Sequence, residues 1–396
     1  MGFTLQPAVR DNFIDREDIL NEMIDTLSAE NIRMGYALVG IRRIGKTSIL
    51  KEVAYRLNQR NDIIAVYFSL WDLVENTAFG FCRQLTLAII EAAKTKLSIK
   101  YKIQHLIKVP AVKFFDFLKT IDFKISLFED LEISLAADKK DQTDINITIE
   151  KVFRSVEALS KDLDSRFVIM LDEFPSIMDL KNGTKLGEGI IKKIRTIHED
   201  LTNTILCVSG SIRRTMDIAV LSQSAAFYRQ FIVRQIGPFE ISVVKKLMSK
   251  NLSSNINEDA IRELYSFTKG IPFYIQFIGR SLDNPSDNAV DKKTVKSAFD
   301  NFLAEEGDIL FSEELKTLSD KEKSIITAMA VHSLNTPKDI CRVTQESSNI
   351  VSRYMEYFLD KGILNKQAKG YQFTGVGDQG SAAISQHASV YQKPQG

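Results

Sequence analysis

The stretch Gly40-Ile41-Arg42-Arg43-Ile44-Gly45-Lys46-Thr47-Ser48 has the spacing G-x-x-x-x-G-K-T and stands between the apolar run Tyr36-Ala-Leu-Val39 and a helical pattern. That is the arrangement of a phosphate-binding P-loop. Glycines let the backbone curl around phosphate oxygens, while the amides and dipole at the start of the next helix face the anion. In that chemistry Lys46 reaches the β- and γ-phosphates of ATP and the Thr47 hydroxyl ligates Mg²⁺. A second run, Phe167-Val-Ile-Met-Leu-Asp-Glu-Phe174, is apolar until it reaches two acids. It reads as a buried parallel strand delivering carboxylates to its C-terminal edge, where α/β sheets bind ligands. Asp172 fits the acid on the metal side, and Glu173 fits the base that polarises an attacking water, a pair suited to hydrolysis rather than to passive binding. Without the P-loop upstream, the same acids would read as a cap on the next helix.

The elements that must position these groups follow from apolar periodicity. Ile19, Leu20, Met23, Ile24 and Leu27 fall at helical spacing ahead of the P-loop strand. The run from Asp62 to Leu70 predicts a second strand and Phe79 to Lys96 a helix. Alternation through Phe123, Ile125, Leu127 and then Leu131, Ile133, Leu135 predicts a half-exposed hairpin, placing an insertion at about residues 97–145. A helix from Ile147 to Asp162 leads back to the acidic strand, and another covers Ile190 to Leu201. Thr204-Ile-Leu-Cys-Val-Ser-Gly-Ser211 is a further apolar strand. Beside the strand carrying Asp172, its end would face the γ-phosphate, and Ser211 would help place the lytic water; the alternative is a plain strand-to-loop turn. Arg213 and Arg214 follow, either solvated or meeting phosphate from the same or a neighbouring copy, as Arg229 and Arg234 would also do.

Composition bounds the rest. A chain of 396 residues suits two or three domains. With 52 Lys and Arg against 51 Asp and Glu, no global field drives it onto nucleic acid or membrane. Cys82, Cys207 and Cys341 are isolated and the 4 histidines form no ligand cluster, which argues against structural zinc and suits a reducing compartment. The start, Met1-Gly-Phe-Thr-Leu-Gln-Pro7, lacks a charged and apolar leader, and no apolar run approaches a membrane span, so the expectation is a cytoplasmic protein.

Phe13-Ile-Asp-Arg-Glu17, the arginine pair within the P-loop, Leu171-Asp-Glu173, Gly210-Ser211, Gly237-Pro-Phe-Glu240 and Gly270-Ile-Pro272 occur in that order. Together they resemble the archaeal-type ATPases of the STAND branch of the AAA+ superfamily, over residues 10–373. The resemblance implies an α/β parallel-sheet P-loop NTPase core over residues 1–236, a helical lid over 237–312 and a C-terminal winged helix over 319–373. It also implies that Arg16 lies by the adenine and that Pro272 opens a lid helix packing on the nucleotide. Taken alone, Gly-x-Pro before Phe273, Ile275, Phe277 and Ile278 is a good helix start. From Phe239 to Leu310 the pattern is helical throughout, broken at Asn284-Pro-Ser-Asp-Asn288. Ser319-Asp-Lys-Glu322 matches a capping box, and two further helices and a hairpin ending at Phe373 follow. Ser348, Asn349, Ser352 and Arg353 would face outward on the third helix, with Lys366 and Lys369 on the wing, as candidate DNA contacts. The module carries little net positive charge, and Glu346, Glu356 and Asp360 flank its reading face, so protein docking stands beside duplex DNA. Members of the family it resembles commonly continue after the wing with an Asp-Pro and an apolar helix, whereas residues 374–396 are rich in Gly, Ser and Gln and predict a flexible tail.

Two functions remain in play. One is a Mg²⁺-dependent ATPase that cycles between ATP and ADP states and engages DNA; whether an arginine from a second copy in a homo-oligomer completes its site is open. The other is a nucleotide-gated switch or scaffold acting through protein partners. A P-loop kinase ranks behind both, because adjacent Asp172 and Glu173 suit activation of water.

Overall fold

Near-continuous apolar runs become parallel strands when both faces of a sheet are covered. The computed structural model describes residues 2–100, 144–211, 214–222, 224–284, 289–307, 318–360, 363–367 and 370–373. These divide into two units, one holding the described residues of Arg16–Gly40 and Lys46–Ile236, the other those of Met1–Asp15, Ile41–Gly45 and Gly237–Gly396.

In the first unit, strands β1 (Gly35–Val39), β2 (Ile63–Ser69), β3 (Arg166–Asp172), β4 (Thr204–Gly210) and β5 (Phe231–Gln235) form one sheet in the order β2-β3-β4-β1-β5. Every pairing is parallel. Helices α1 (Glu17–Ser28), α2 (Lys46–Asn58), α3 (Ala78–Lys100), α4 (Ile145–Asp162) and α5 (Glu188–Asp200) accompany the sheet, and several share its apolar core, among them α3, α4 and α5 through Phe81, Val152 and Ile194. The hairpin predicted through residues 123–135 lies outside the described residues, as does the predicted tail at 374–396; at the ends of the expected 97–145 insertion, residues 97–100 instead continue α3 and Ile145 already starts α4. Register decides what meets at the sheet edge. Val208 pairs with Ala37 on one side and Leu171 on the other, so Val39, Ser209, Gly210 and Asp172 come to the same C-terminal edge. Strand β5 is not anticipated by the periodicity, because Phe231 is buried but Val233 is exposed. It is held by β1 and by Arg234, whose Nε donates to Glu22 of α1 at 2.9 Å while Tyr36 of β1 donates to the same carboxylate at 3.0 Å.

The second unit contains helices α6 (Ile241–Asn251), α7 (Glu258–Thr268), α8 (Pro272–Leu282) and α9 (Lys292–Phe302), then α10 (Asp320–Val331), α11 (Pro337–Thr344) and α12 (Ser348–Asp360), and the antiparallel hairpin β6 (Leu364–Gln367) and β7 (Gly370–Phe373). The expectation of helix throughout 239–310 is corrected by a short parallel pairing of Asn255–Ile256 with Ala289–Val290. Such two-residue pieces are too short to show a period. Stacking of Phe267 on Phe299, with ring centroids 4.3 Å apart, ties α7 to α9. The Ser319 capping box with Glu322 is formed, and Thr336 caps α11 with Pro337 in its first turn. Ile325, Met329, Ile340, Val351, Met355, Phe358 and Leu364 form the core shared by α10, α11, α12 and the hairpin. No described helix is long and apolar enough to cross a membrane.

The motifs Gly237-Pro-Phe-Glu240 and Gly270-Ile-Pro272 meet in space. Gly270 has φ 75°, its carbonyl accepts from the Phe239 amide at 2.8 Å, and a Cβ placed on it would stand 2.2 Å from the Phe239 carbonyl oxygen. Gly270→Ala is therefore expected to destabilise the chain by about 2 kcal/mol or more, read from the denaturant midpoint. An unchanged midpoint would show that this approach is dispensable.

Candidate nucleotide site

The loop after β1 turns back through two left-handed residues, Arg43 at φ 66° and Gly45 at φ 96°. A glycine adopts such a turn without steric cost, so G-x-x-x-x-G has a backbone reason at its second glycine. Lys46 then opens α2 with its side chain 5% exposed, and its Nζ donates to the Gly40 carbonyl at 2.9 Å. Thr47 is the second residue of that helix. Its Oγ1 donates to Asp172 Oδ2 at 2.7 Å.

Asp172 is only 2% exposed, so its carboxylate needs hydrogen-bond partners in place of water. Besides Thr47, it accepts from the Tyr67 hydroxyl of β2 at 2.8 Å, from Ser209 of β4 and from the Glu173 amide at 3.1 Å. Sequence reasoning missed Tyr67 and Ser209. Their only signal is the parallel register, which sets β2 and β4 on either side of β3. Burial first, and then the Asp172 carboxylate, raise the Tyr67 phenol above its ordinary range, so it stays a proton donor.

Glu173 leaves the strand at φ 52°, ψ 42°, and begins the 3₁₀ turn Phe174–Asp179. For a residue with a Cβ this left-handed step costs roughly 1 kcal/mol. It turns the chain immediately after Asp172, giving successive carboxylates different surroundings. Ser211 follows β4, next to the Gly210 carbonyl that accepts from the Gly40 amide at 3.4 Å. It is 3% exposed, and among the described residues its buried hydroxyl finds no hydrogen-bond partner.

Thus Lys46, Thr47, Asp172, Glu173 and Ser211 come together at one sheet edge. Ser48 lies in the first turn of α2, and Arg16, left-handed at φ 68°, starts α1 in the same unit. The loop Ile41–Gly45 belongs to the other unit, as does Pro272, the first residue of α8. There Arg43 donates to the Tyr274 hydroxyl at 3.2 Å. Of the arginines considered for action in trans, Arg234 is bound to Glu22, Arg229 is exposed beside Tyr228, and Arg213 lies outside the described residues. On the C-terminal elements Ser348, Asn349, Ser352, Arg353 and Lys366 are exposed, and Lys369 lies outside the described residues. Glu346 pairs with Lys321 at 3.5 Å and Asp339 with Arg342 at 3.3 Å.

No protein-family model matches the chain. An uncharacterized protein of Methanocaldococcus jannaschii is 28% identical over 198 residues, which is 48% of this chain but only 42% of that relative's length. Among solved structures, a Walker-type ATPase of Pyrococcus abyssi is similar over 97% of this chain and 99% of its own, with a TM-score of 0.66 and 18% identity. The ORC2 protein of Aeropyrum pernix, in ADPNP and ADP complexes, gives 0.58 at 9% identity, covering 98% of this chain and 100% of that one. The ORC1 protein of the same organism, in complex with DNA, gives 0.51 at 14% identity over 98% and 97%. The chain has the fold of these proteins, a P-loop NTPase sheet with further helical elements.

Proposed function

We propose that this chain is a Mg²⁺-dependent ATPase of the STAND branch, in which α6–α9 act as a lid and α10–α12 with β6–β7 act as a winged helix that engages duplex DNA. The observation that carries the reading is the buried Asp172 carboxylate held against Thr47, with Glu173 turned aside in the next position. Glu173 is the base in this reading. Its carboxylate takes the proton of a water whose oxygen bonds the γ-phosphorus as the bond to the leaving ADP oxygen breaks. Lys46 and the amides of the loop draw off the charge that develops. The Ser211 hydroxyl, unpartnered among the described residues, would orient that water, since a buried hydroxyl left without a partner costs stability unless something fills the role. Arg16 and Pro272 are assigned to the adenine side.

Thr47 and Asp172 would hold the metal, and their oxygen donors suit a hard cation. Bound there, Mg²⁺ supplies charge neutralisation on the phosphates. Among the described residues no group of three or more His, Cys, Asp or Glu side chains is gathered for a metal.

For the C-terminal module, support comes from the exposed Ser348, Asn349 and Arg353 on α12 and Lys366 on β6, and from the pairing of Glu346 and Asp339 with their own cations. The DNA complex of the similarly folded ORC1 protein points the same way. Hydrolysis of ATP should be measured with and without duplex DNA, and DNA binding across a salt series. Three phosphate contacts, from Arg353, Lys366 and Lys369, predict a slope of log K against log salt of about −2.7. Salt-independent binding or none removes DNA from the reading. Tight nucleotide binding with negligible turnover under every condition instead leaves a nucleotide-gated switch acting through protein partners. Turnover per molecule that rises with protein concentration would favour a second copy completing the site.

A further inference from the structure

Arg43 occupies a position that the phosphate-binding role of its loop does not by itself require. It holds a left-handed conformation that residues with a Cβ rarely adopt, so its surroundings must favour it. Its guanidinium lies over the Phe273 ring, 4.8 Å from the centroid, and 5.8 Å from that of Tyr274, whose hydroxyl accepts from Nη1 at 3.2 Å. Both rings stand in the first turn of α8, whose start is fixed by Pro272 and by the close approach of Gly270 to Phe239. Both also pack onward. Tyr274 meets Phe302 of α9 edge-on at 5.9 Å, and Phe273 meets Phe277 at 6.1 Å. A planar cation that stacks and donates at once suits arginine better than lysine.

We propose that Arg43 is a positioning residue that transmits nucleotide occupancy of the P-loop to helix α8 through Phe273 and Tyr274; this rests on the reading of the loop as an ATP site. When phosphate orders the backbone at Gly45 and Lys46, the nearby Arg43 is drawn into one conformation. Its stacking partners then hold the first turn of α8 in one place.

The test is hydrogen exchange on the full chain with and without ADP, for wild type, Arg43→Ala, Arg43→Lys, Phe273→Leu and the double variant Arg43→Ala/Phe273→Leu. In wild type, ADP should slow exchange both at the start of α2 and in the first two turns of α8. In Arg43→Ala, with ADP raised until α2 is protected as in wild type, the ADP-dependent protection of α8 should fall at least several-fold. A merely structural role would loosen α8 equally with and without ADP. Phe273→Leu should act like Arg43→Ala, the double variant should add nothing to either, and Arg43→Lys should fall between. Should ADP protect α2 but not α8 in wild type, or should α8 protection survive in Arg43→Ala, the proposal fails while the ATP-site reading stands. Absence of any ADP protection in wild type overturns both.

Discussion

Glu173→Gln is expected to lower ATP turnover by about 10²-fold or more while leaving nucleotide affinity within a few-fold of wild type. The two side chains have the same shape, so the half-buried position and its left-handed backbone are retained. What the amide lacks is a basic oxygen able to accept the proton of the attacking water. A hundredfold loss corresponds to about 2.7 kcal/mol of transition-state stabilisation. It should fall on kcat rather than on KM, because the carboxylate does its work only as the water becomes a nucleophile. Asp172 keeps its hydrogen bonds from Thr47 and Tyr67 in this variant, so metal binding should be preserved. Single-turnover hydrolysis with radiolabelled ATP separates this outcome from slow product release. Wild-type turnover in Glu173→Gln would move the base elsewhere and leave Glu173 as no more than the start of the turn Phe174–Asp179.

Much of the sheet is legible in the sequence because its strands are buried on both faces. β1, β2, β3 and β4 read as unbroken apolar runs, and α1, α4 and α5 show helical periodicity. β5 escapes for a physical reason. It lies at the sheet edge, with Phe231 facing the core and Val233 exposed, and it is anchored by the pairing of Arg234 with Glu22, some two hundred positions away in sequence. The same limit applies around the P-loop. Lys46, Thr47, Asp172 and Glu173 announce themselves because type and spacing together specify phosphate chemistry. Tyr67 and Ser209 become partners of Asp172 only once the order β2-β3-β4 is known. Likewise, Arg43 and Tyr274 are joined by a fold that brings Gly270 against Phe239, which neither segment reveals alone. Groups that act through local spacing are visible in a sequence; groups that act through register are not.

Lys46→Ala should weaken binding itself as well as turnover, and on the nucleotide-free protein it should lack the destabilisation of an ordinary core truncation. The Lys46 side chain is buried, with its ammonium on the Gly40 carbonyl, so the free protein bears the cost of desolvating a charge. Removing it relieves that cost while also removing packing, and the nucleotide-free melting temperature should change little. With nucleotide its ammonium meets phosphate oxygens, and its loss should weaken ADP binding by about 10²-fold, close to the worth of a desolvated charge-assisted contact. Linkage turns this into a measurement. Ligand at a hundred times the wild-type Kd stabilises the native state by about 2.7 kcal/mol, but by only about 0.4 kcal/mol once Kd is a hundredfold larger. The thermal shift produced by ADP should therefore nearly vanish in Lys46→Ala while the unliganded transition stays where it was. A variant that melted much earlier without ligand would make Lys46 a structural cation. One that kept the full ADP shift would place the phosphates away from this lysine, and the P-loop reading with them.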